Sequence, residues 1–131
     1  MRMLINIDVP ELEAAITFYC AALGLRLKRV INGDVAELVG AASPIYLLAK
    51  AAESPPERAP NLTRHYARHW TPAHIDFVVD DIVESTQRAI NAGAIQESEC
   101  VHWKGSTCVT FADPFGHGFC LIEFKDESYE D

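Results

Sequence analysis

One order of elements can be read twice along this chain, and that repeat constrains the fold more than any other feature. Residues 3–9 (MLINIDV) alternate apolar and polar in the manner of a strand. Pro10, with its fixed φ, suits the first turn of a helix, and Glu11 and Glu13 suit that helix's positive end. Leu12, Ala15, Ile16, Tyr19 and Leu23 recur at helical spacing, and Gly24 provides a stop. Two strand-like runs follow, 25–31 and 35–39, around Asn32-Gly33-Asp34, a strong hairpin signal. After a break at 40–44, residues 45–50 (IYLLAK) read as a further strand. The first half is therefore βαβββ.

The pattern returns after residue 72. HIDFVV (74–79) is a strand, and Asp80 is placed to cap a helix whose apolar face is Ile82, Thr86, Ala89 and Ile90. Asn91-Ala92-Gly93 ends that helix. Strands are expected over 94–102 and 106–112, a turn at Asp113-Pro114-Phe115-Gly116, and a last strand over 118–124. The halves superpose with Ile5–Val9 on Ile75–Val79, Leu12 on Ile82, and Ile45–Leu48 on Phe119–Ile122. A single βαβββ unit leaves an open, curved sheet. Two such units enclose a cleft, a natural place for a small ligand.

The expected fold is thus α+β, one domain over 1–131, with two βαβββ modules forming a curved mixed sheet around a ligand cleft. The modules span 3–50 and 73–124. Residues 51–72 form a connector rich in Pro, Ala, Arg and His, and 125–131 an acidic tail expected to be solvated and frayed. Function is expected at inward-facing strand positions that are equivalent in the two halves.

Composition narrows the partners. A formal charge of −8 repels phosphate backbones and anionic lipid, which argues against nucleic acid and membrane. No apolar run nears the roughly 20 residues that span a bilayer, and the N-terminus does not read as a signal peptide. A cytoplasmic location is expected, with Cys20, Cys100, Cys108 and Cys120 as free thiols and the Asn61-Leu62-Thr63 sequon without meaning.

Three segments resemble one family. Leu12-Glu13-Ala14-Ala15-Ile16-Thr17-Phe18-Tyr19, with Ala22-Leu23-Gly24-Leu25, is similar to the helix of the vicinal oxygen chelate superfamily, which unites glyoxalases, bleomycin resistance proteins and extradiol dioxygenases. Residues 74–81 resemble the first strand of its second module, and 113–123 its turn into the last strand. The resemblance covers nearly the whole chain apart from the connector, and it implies the fold far more sharply than the activity. It also implies a homodimer.

In metal-dependent members four ligands, usually His, Glu or Gln, come two from each module. By resemblance these positions fall at Leu4, Tyr46, His74 and Cys120. Leucine cannot ligate, a neutral tyrosine rarely does, and two remaining ligands fall short of a stable site. Asn6 or Glu123 would enter only through a register slip. The leading expectation is therefore a metal-free cleft that binds a small organic molecule, for sequestration or an uncharacterised conversion. The alternative is a divalent-metal lyase, isomerase or dioxygenase of the glyoxalase type, and a ligand-free interaction module is the third reading.

His74 is a candidate substrate contact or general base, against a histidine that only serves the sheet. Cys120 is a candidate nucleophile beside it, against an inert buried thiol. Tyr46 and Leu4 complete the set of cleft positions. In the connector, Arg64-His65-Tyr66-Ala67-Arg68-His69-Trp70 places Arg-His pairs four residues apart, on one face of a helical turn if one forms. Arg64, His65 and Trp70 are candidate contacts for an anionic or aromatic ligand, against a subunit contact or plain surface loop. Trp103 is a further cleft or interface candidate, against ordinary packing, and His117 is expected to serve the 113–116 turn.

Overall fold

Asn32 and Gly33 both take positive φ (52° and 76°), at the centre of a turn closed by Asp34 N donating to Ile31 O (3.2 Å), and its twist suits the strands it joins. A computed structural model describes residues 1–131, and this hairpin lies at the centre of its first part. The chain divides into two compact units, Met1–Ala67 and Arg68–Asp131. The boundary falls inside the connector, so residues 51–67 go with the first unit and 68–72 with the second.

The first unit contains β1 (Ile5–Val9), α1 (Leu12–Leu23), β2 (Arg26–Ile31), β3 (Val35–Val39) and β4 (Ile45–Ala49). Its sheet runs β1-β4-β3-β2, with β1 parallel to β4 and the other pairs antiparallel. Pro10 lies just outside α1, which starts at Leu12 after Glu11 and stops at Gly24 in the left-handed conformation. The helix packs on β2, β3 and β4. Alternation along the strands commits Val9, Ala36, Leu38, Ile45 and Leu47, all fully buried, to the core with Ala15, Phe18, Tyr19 and Ala22.

The connector forms no helix. Glu53 N donates to Arg64 O (2.7 Å) and Arg64 N to Ser54 O (3.0 Å), closing a loop. Arg64 Nε then bonds Asp8 Oδ2 at 2.7 Å and ties the loop to β1, while Tyr66 Oη donates to Lys50 O. A helical face carrying His65 and His69 is therefore not formed.

The second unit contains β5 (Ile75–Val78), α2 (Ile82–Ala92), β6 (Ile95–Gln96), β7 (Val101–Trp103), β8 (Ser106–Ala112) and β9 (Gly118–Phe124). The path is β5-β9-β8-β6, with β7 also on β8 and β5 parallel to β9. Asp81, not Asp80, caps α2, accepting from Glu84 N (3.0 Å), and Glu123 Oε1 accepts from Ile82 N (3.1 Å). The strand expected over 94–102 is two short ones. Between them Ser98 Oγ takes the Thr110 N–H (2.9 Å) in place of a ladder bond.

Asp113, almost fully buried, organises the turn before β9: Oδ1 accepts from Phe115 N and His117 N, both at 2.8 Å, and Oδ2 lies 2.7 Å from His117 Nδ1. The acidic tail is tied down rather than frayed. Glu130 N donates to Lys104 O (2.8 Å), and Tyr129 packs edge-on against Trp103 and Phe124. No helix is long and apolar enough to cross a membrane.

Candidate functional site

The internal superposition holds at the level of strand register. Ile5 pairs with Ile45 in one unit and Ile75 with Phe119 in the other, so Asn6 opposite Tyr46 matches Asp76 opposite Cys120. In each unit the helix covers one face of the sheet, and these residues lie on the other. Asn6 shares that face with no register slip, whereas Glu123 is committed to α2.

In the first unit the open face carries the row Asn6, Tyr46, Glu37, Arg29 across β1, β4, β3 and β2. Glu37 is almost fully buried under its partners. It accepts from Arg29 Nε (2.6 Å) and Tyr46 Oη (3.0 Å), with Lys28 Nζ at 3.8 Å. The hydrogen bond from Arg29 holds the Glu37 carboxyl below the usual range. The same carboxylate, helped by burial, pushes the Tyr46 phenol upward and keeps it protonated. A share in a four-ligand metal centre does not fit these residues: Leu4 has no donor atom, Tyr46 is a neutral phenol, and Glu37 is already engaged.

In the second unit the open face forms a pocket of about 310 Å³ lined by Arg68, Trp70, Thr71, His74, Thr110, Gly118, Phe119 and Cys120. His74 stands just before β5, and its Nε2 lies 3.0 Å from Asp76 Oδ1. Cys120 is buried, with its Sγ 3.6 Å from Thr110 Oγ1. Burial raises its thiol, and burial with the neighbouring Cys120 pushes Cys108 up to about 12. Neither is a ready thiolate, which weighs against Cys120 as a nucleophile.

The arginines are already engaged. Arg68 makes a two-pronged contact with Glu97 (Nε and Nη2, 2.9 Å each) and also donates to the His69 carbonyl. Arg64 is held by Asp8, so the charge expected to attract an anion is neutralised within the chain in both cases. Trp70, in contrast, stands largely exposed at the pocket. Trp103 lies elsewhere, in a groove of about 360 Å³ with His102, Lys104 and Lys125.

Of the residues named from the sequence, His74, Cys120 and Trp70 meet in one pocket. Tyr46 lies on the open face of the first unit, Leu4 is exposed just before β1, and Arg64 and His65 lie in the connector loop. Arg68, from the same Arg-His stretch, lines that pocket too, whereas Asp76, Thr110 and Thr71 were missed. Asp76 carried a signal, since it stands two residues from His74 in a period-2 strand; Thr110 carried none beyond its pairing with Cys120.

A profile of the glyoxalase-like domain matches residues 4–122. No curated protein matches the chain. Among solved structures, a lactoylglutathione lyase from Agrobacterium tumefaciens is 23% identical with a TM-score of 0.66, the match covering 95% of this chain and 94% of that one. A fosfomycin resistance protein from Listeria monocytogenes is 17% identical with a TM-score of 0.72, covering 97% and 91%. A glyoxalase/bleomycin resistance protein/dioxygenase from Nocardioides is 18% identical with a TM-score of 0.69, covering 100% and 87%. At these identities the likeness shows the α+β fold.

Proposed function

Because the chain belongs to the glyoxalase-like family, we propose that it binds a small organic molecule in the pocket of its second unit, for sequestration or conversion, using protein groups alone. The observation that carries this reading is the 310 Å³ pocket, which joins an apolar wall to a few convergent polar groups. The exposed Trp70 supplies the aromatic surface. The His74 imidazole and the hydroxyls of Thr71 and Thr110 supply directional hydrogen bonds. Since Arg68 is paired with Glu97, the favoured ligand is an uncharged, partly aromatic molecule rather than an anion. A homodimer and a cytoplasmic location, where four free thiols stay reduced, belong to the same proposal.

The second reading is a metal-dependent lyase, isomerase or dioxygenase. It draws on the neighbours' names, among them a variant of the Listeria protein solved with manganese(II) and dihydroxypropylphosphonic acid. It needs ligands from the first unit that Leu4 and Tyr46 do not offer.

The test is calorimetric screening of chelator-treated protein against neutral aromatic and anionic small molecules. Binding without added metal, weakened by Trp70→Ala and His74→Ala and unaffected by Tyr46→Phe, supports the proposal. Binding that requires manganese or nickel and falls with Tyr46→Phe overturns it in favour of the metal enzyme.

A further inference from the structure

The second unit adds to His74 and Cys120, two of the four family positions, a third donor that the family pattern does not contain. Asp76 occupies none of the four positions, yet it is the register partner of Cys120 and contacts His74, which stands just before β5. The ligand atoms of His74, Asp76 and Cys120 all lie within 4.8 Å of one another. We propose that these three side chains form a binding site for a soft divalent cation of the zinc or cadmium type, complete within this one unit.

The geometry is close to what such an ion needs. With metal bonds of about 2.0 Å to N or O and about 2.3 Å to S, a tetrahedron has edges of roughly 3.3 Å between N and O and roughly 3.5 Å to S. The His74 Nε2 to Asp76 Oδ1 distance, 3.0 Å, is close to the first edge and need only open slightly to admit an ion. The remaining pairs, bounded by 4.8 Å, close by small side-chain rotations rather than by moving strands. Three protein ligands with the fourth position open is the arrangement of zinc sites that retain a water or an exogenous ligand. Two of the three donors, His74 and Cys120, line the pocket.

The donor set also selects the ion. Sulfur and imidazole favour zinc-like cations over magnesium, calcium or manganese, which prefer all-oxygen shells. One thiolate and one carboxylate neutralise a divalent charge, and the thiol proton leaves to solvent as the metal–sulfur bond forms. Cys108, on the same face and hydrogen-bonded to Cys120, can donate to that thiolate. His74 and Asp76 are exposed, so the ion has a way in. A bound cation would occupy His74 and Cys120, groups at the organic-ligand pocket, so the two ligands compete. The inference does not rest on the organic ligand's existence.

The test uses metal alone. Metal-free protein is titrated with cobalt(II) as a spectroscopic stand-in, followed by zinc. The expected result is one equivalent bound with a thiolate-to-cobalt charge-transfer band, displaced by zinc. Cys120→Ser removes the band. Asp76→Asn, a surface change that leaves the core intact, weakens zinc binding by at least the roughly 10–100-fold seen when outer partners of metal ligands are lost. Tyr46→Phe leaves both unchanged. Circular dichroism of each variant checks that it is folded. Absence of the band at one equivalent, its persistence in a folded Cys120→Ser, unchanged zinc affinity in Asp76→Asn, or a loss caused by Tyr46→Phe would each overturn the proposal.

Discussion

The Arg68 guanidinium lies against the backbone of Gly118, so close that a Cβ built on that glycine would stand 2.5 Å from Arg68 Nη2. The arginine cannot swing away freely, because Glu97 grips it at two nitrogens. Glycine here serves close approach, and Arg68 forms one wall of the pocket through it.

Gly118→Ala is therefore expected to destabilise by about 1–2 kcal/mol, the usual effect of overpacking a filled site. In an Arg68→Ala background the same change should be neutral or stabilising by about 0.5–1 kcal/mol, since alanine restricts the unfolded chain. Arg68→Ala alone removes a partly exposed ion pair and should cost less than about 1 kcal/mol. Urea denaturation of the four proteins measures the coupling. Additive effects would show that the arginine does not rest on Gly118.

Much of this arrangement was legible in the sequence, and the remainder was hidden for physical reasons. Period-2 alternation and turn residues marked Val35–Val39, Ser106–Ala112 and Gly118–Phe124 at their observed bounds. The halves could be superposed because equivalent residues fill equivalent places in two parallel pairs, β1 with β4 and β5 with β9. The 94–102 run read as one strand because its composition is strand-like; the break depends on the Ser98 hydroxyl reaching Thr110, a tertiary event. Arg68 meeting Glu97, and Arg64 meeting Asp8, are pairings of distant residues with no local signature. Asp76 was overlooked because a polar residue in an alternating strand looks like ordinary solvent-facing alternation.

The Glu37 cluster predicts an acid limb in stability. The Arg29 hydrogen bond lowers the folded pKa of Glu37 below its unfolded value. Its contribution is thus complete above the ordinary carboxylate pKa of about 4.3 and is lost as pH falls through the lower folded value. Glu37→Gln should flatten the decline of the urea midpoint over that acidic window and leave the neutral plateau's slope unchanged. Tyr46 gives the alkaline counterpart. Its raised pKa delays tyrosinate formation beyond about pH 10, and Glu37→Gln should bring it earlier, as read by ultraviolet absorbance. An unaltered Tyr46 titration in Glu37→Gln would break the link between them.

The four thiols should separate by reactivity. Cys100 is exposed, Cys20 and Cys120 are raised by burial, and Cys108 is pushed up to about 12. A disulfide reagent at about pH 8, near the ordinary thiol pKa of about 8.5, is expected to label one thiol quickly in the native protein. Cys100→Ser should remove that phase, and denaturant should release the other three. A fast phase that survives Cys100→Ser would show that one of the sheet thiols is a thiolate after all.

Asp113 carries the last and largest stability prediction. Its buried carboxylate serves two backbone N–H groups and the His117 ring, and Asp113 N also donates to His117 O (2.8 Å), so one side chain closes the turn that delivers Gly118 and Cys120 to the pocket. Asp113→Ala leaves two amide donors without their acceptor and is expected to cost about 2–4 kcal/mol. Asp113→Asn keeps the Oδ1 acceptor. The His117 ring can then change tautomer and accept from the new amide, so the cost should stay near 1 kcal/mol. His117→Ala removes only one of the three contacts and should fall between these values. The ordering alanine, His117→Ala, asparagine is the check, measured by urea unfolding. Equal losses for Asp113→Asn and Asp113→Ala would mean that the charge of Asp113, rather than its hydrogen-bond geometry, holds the turn.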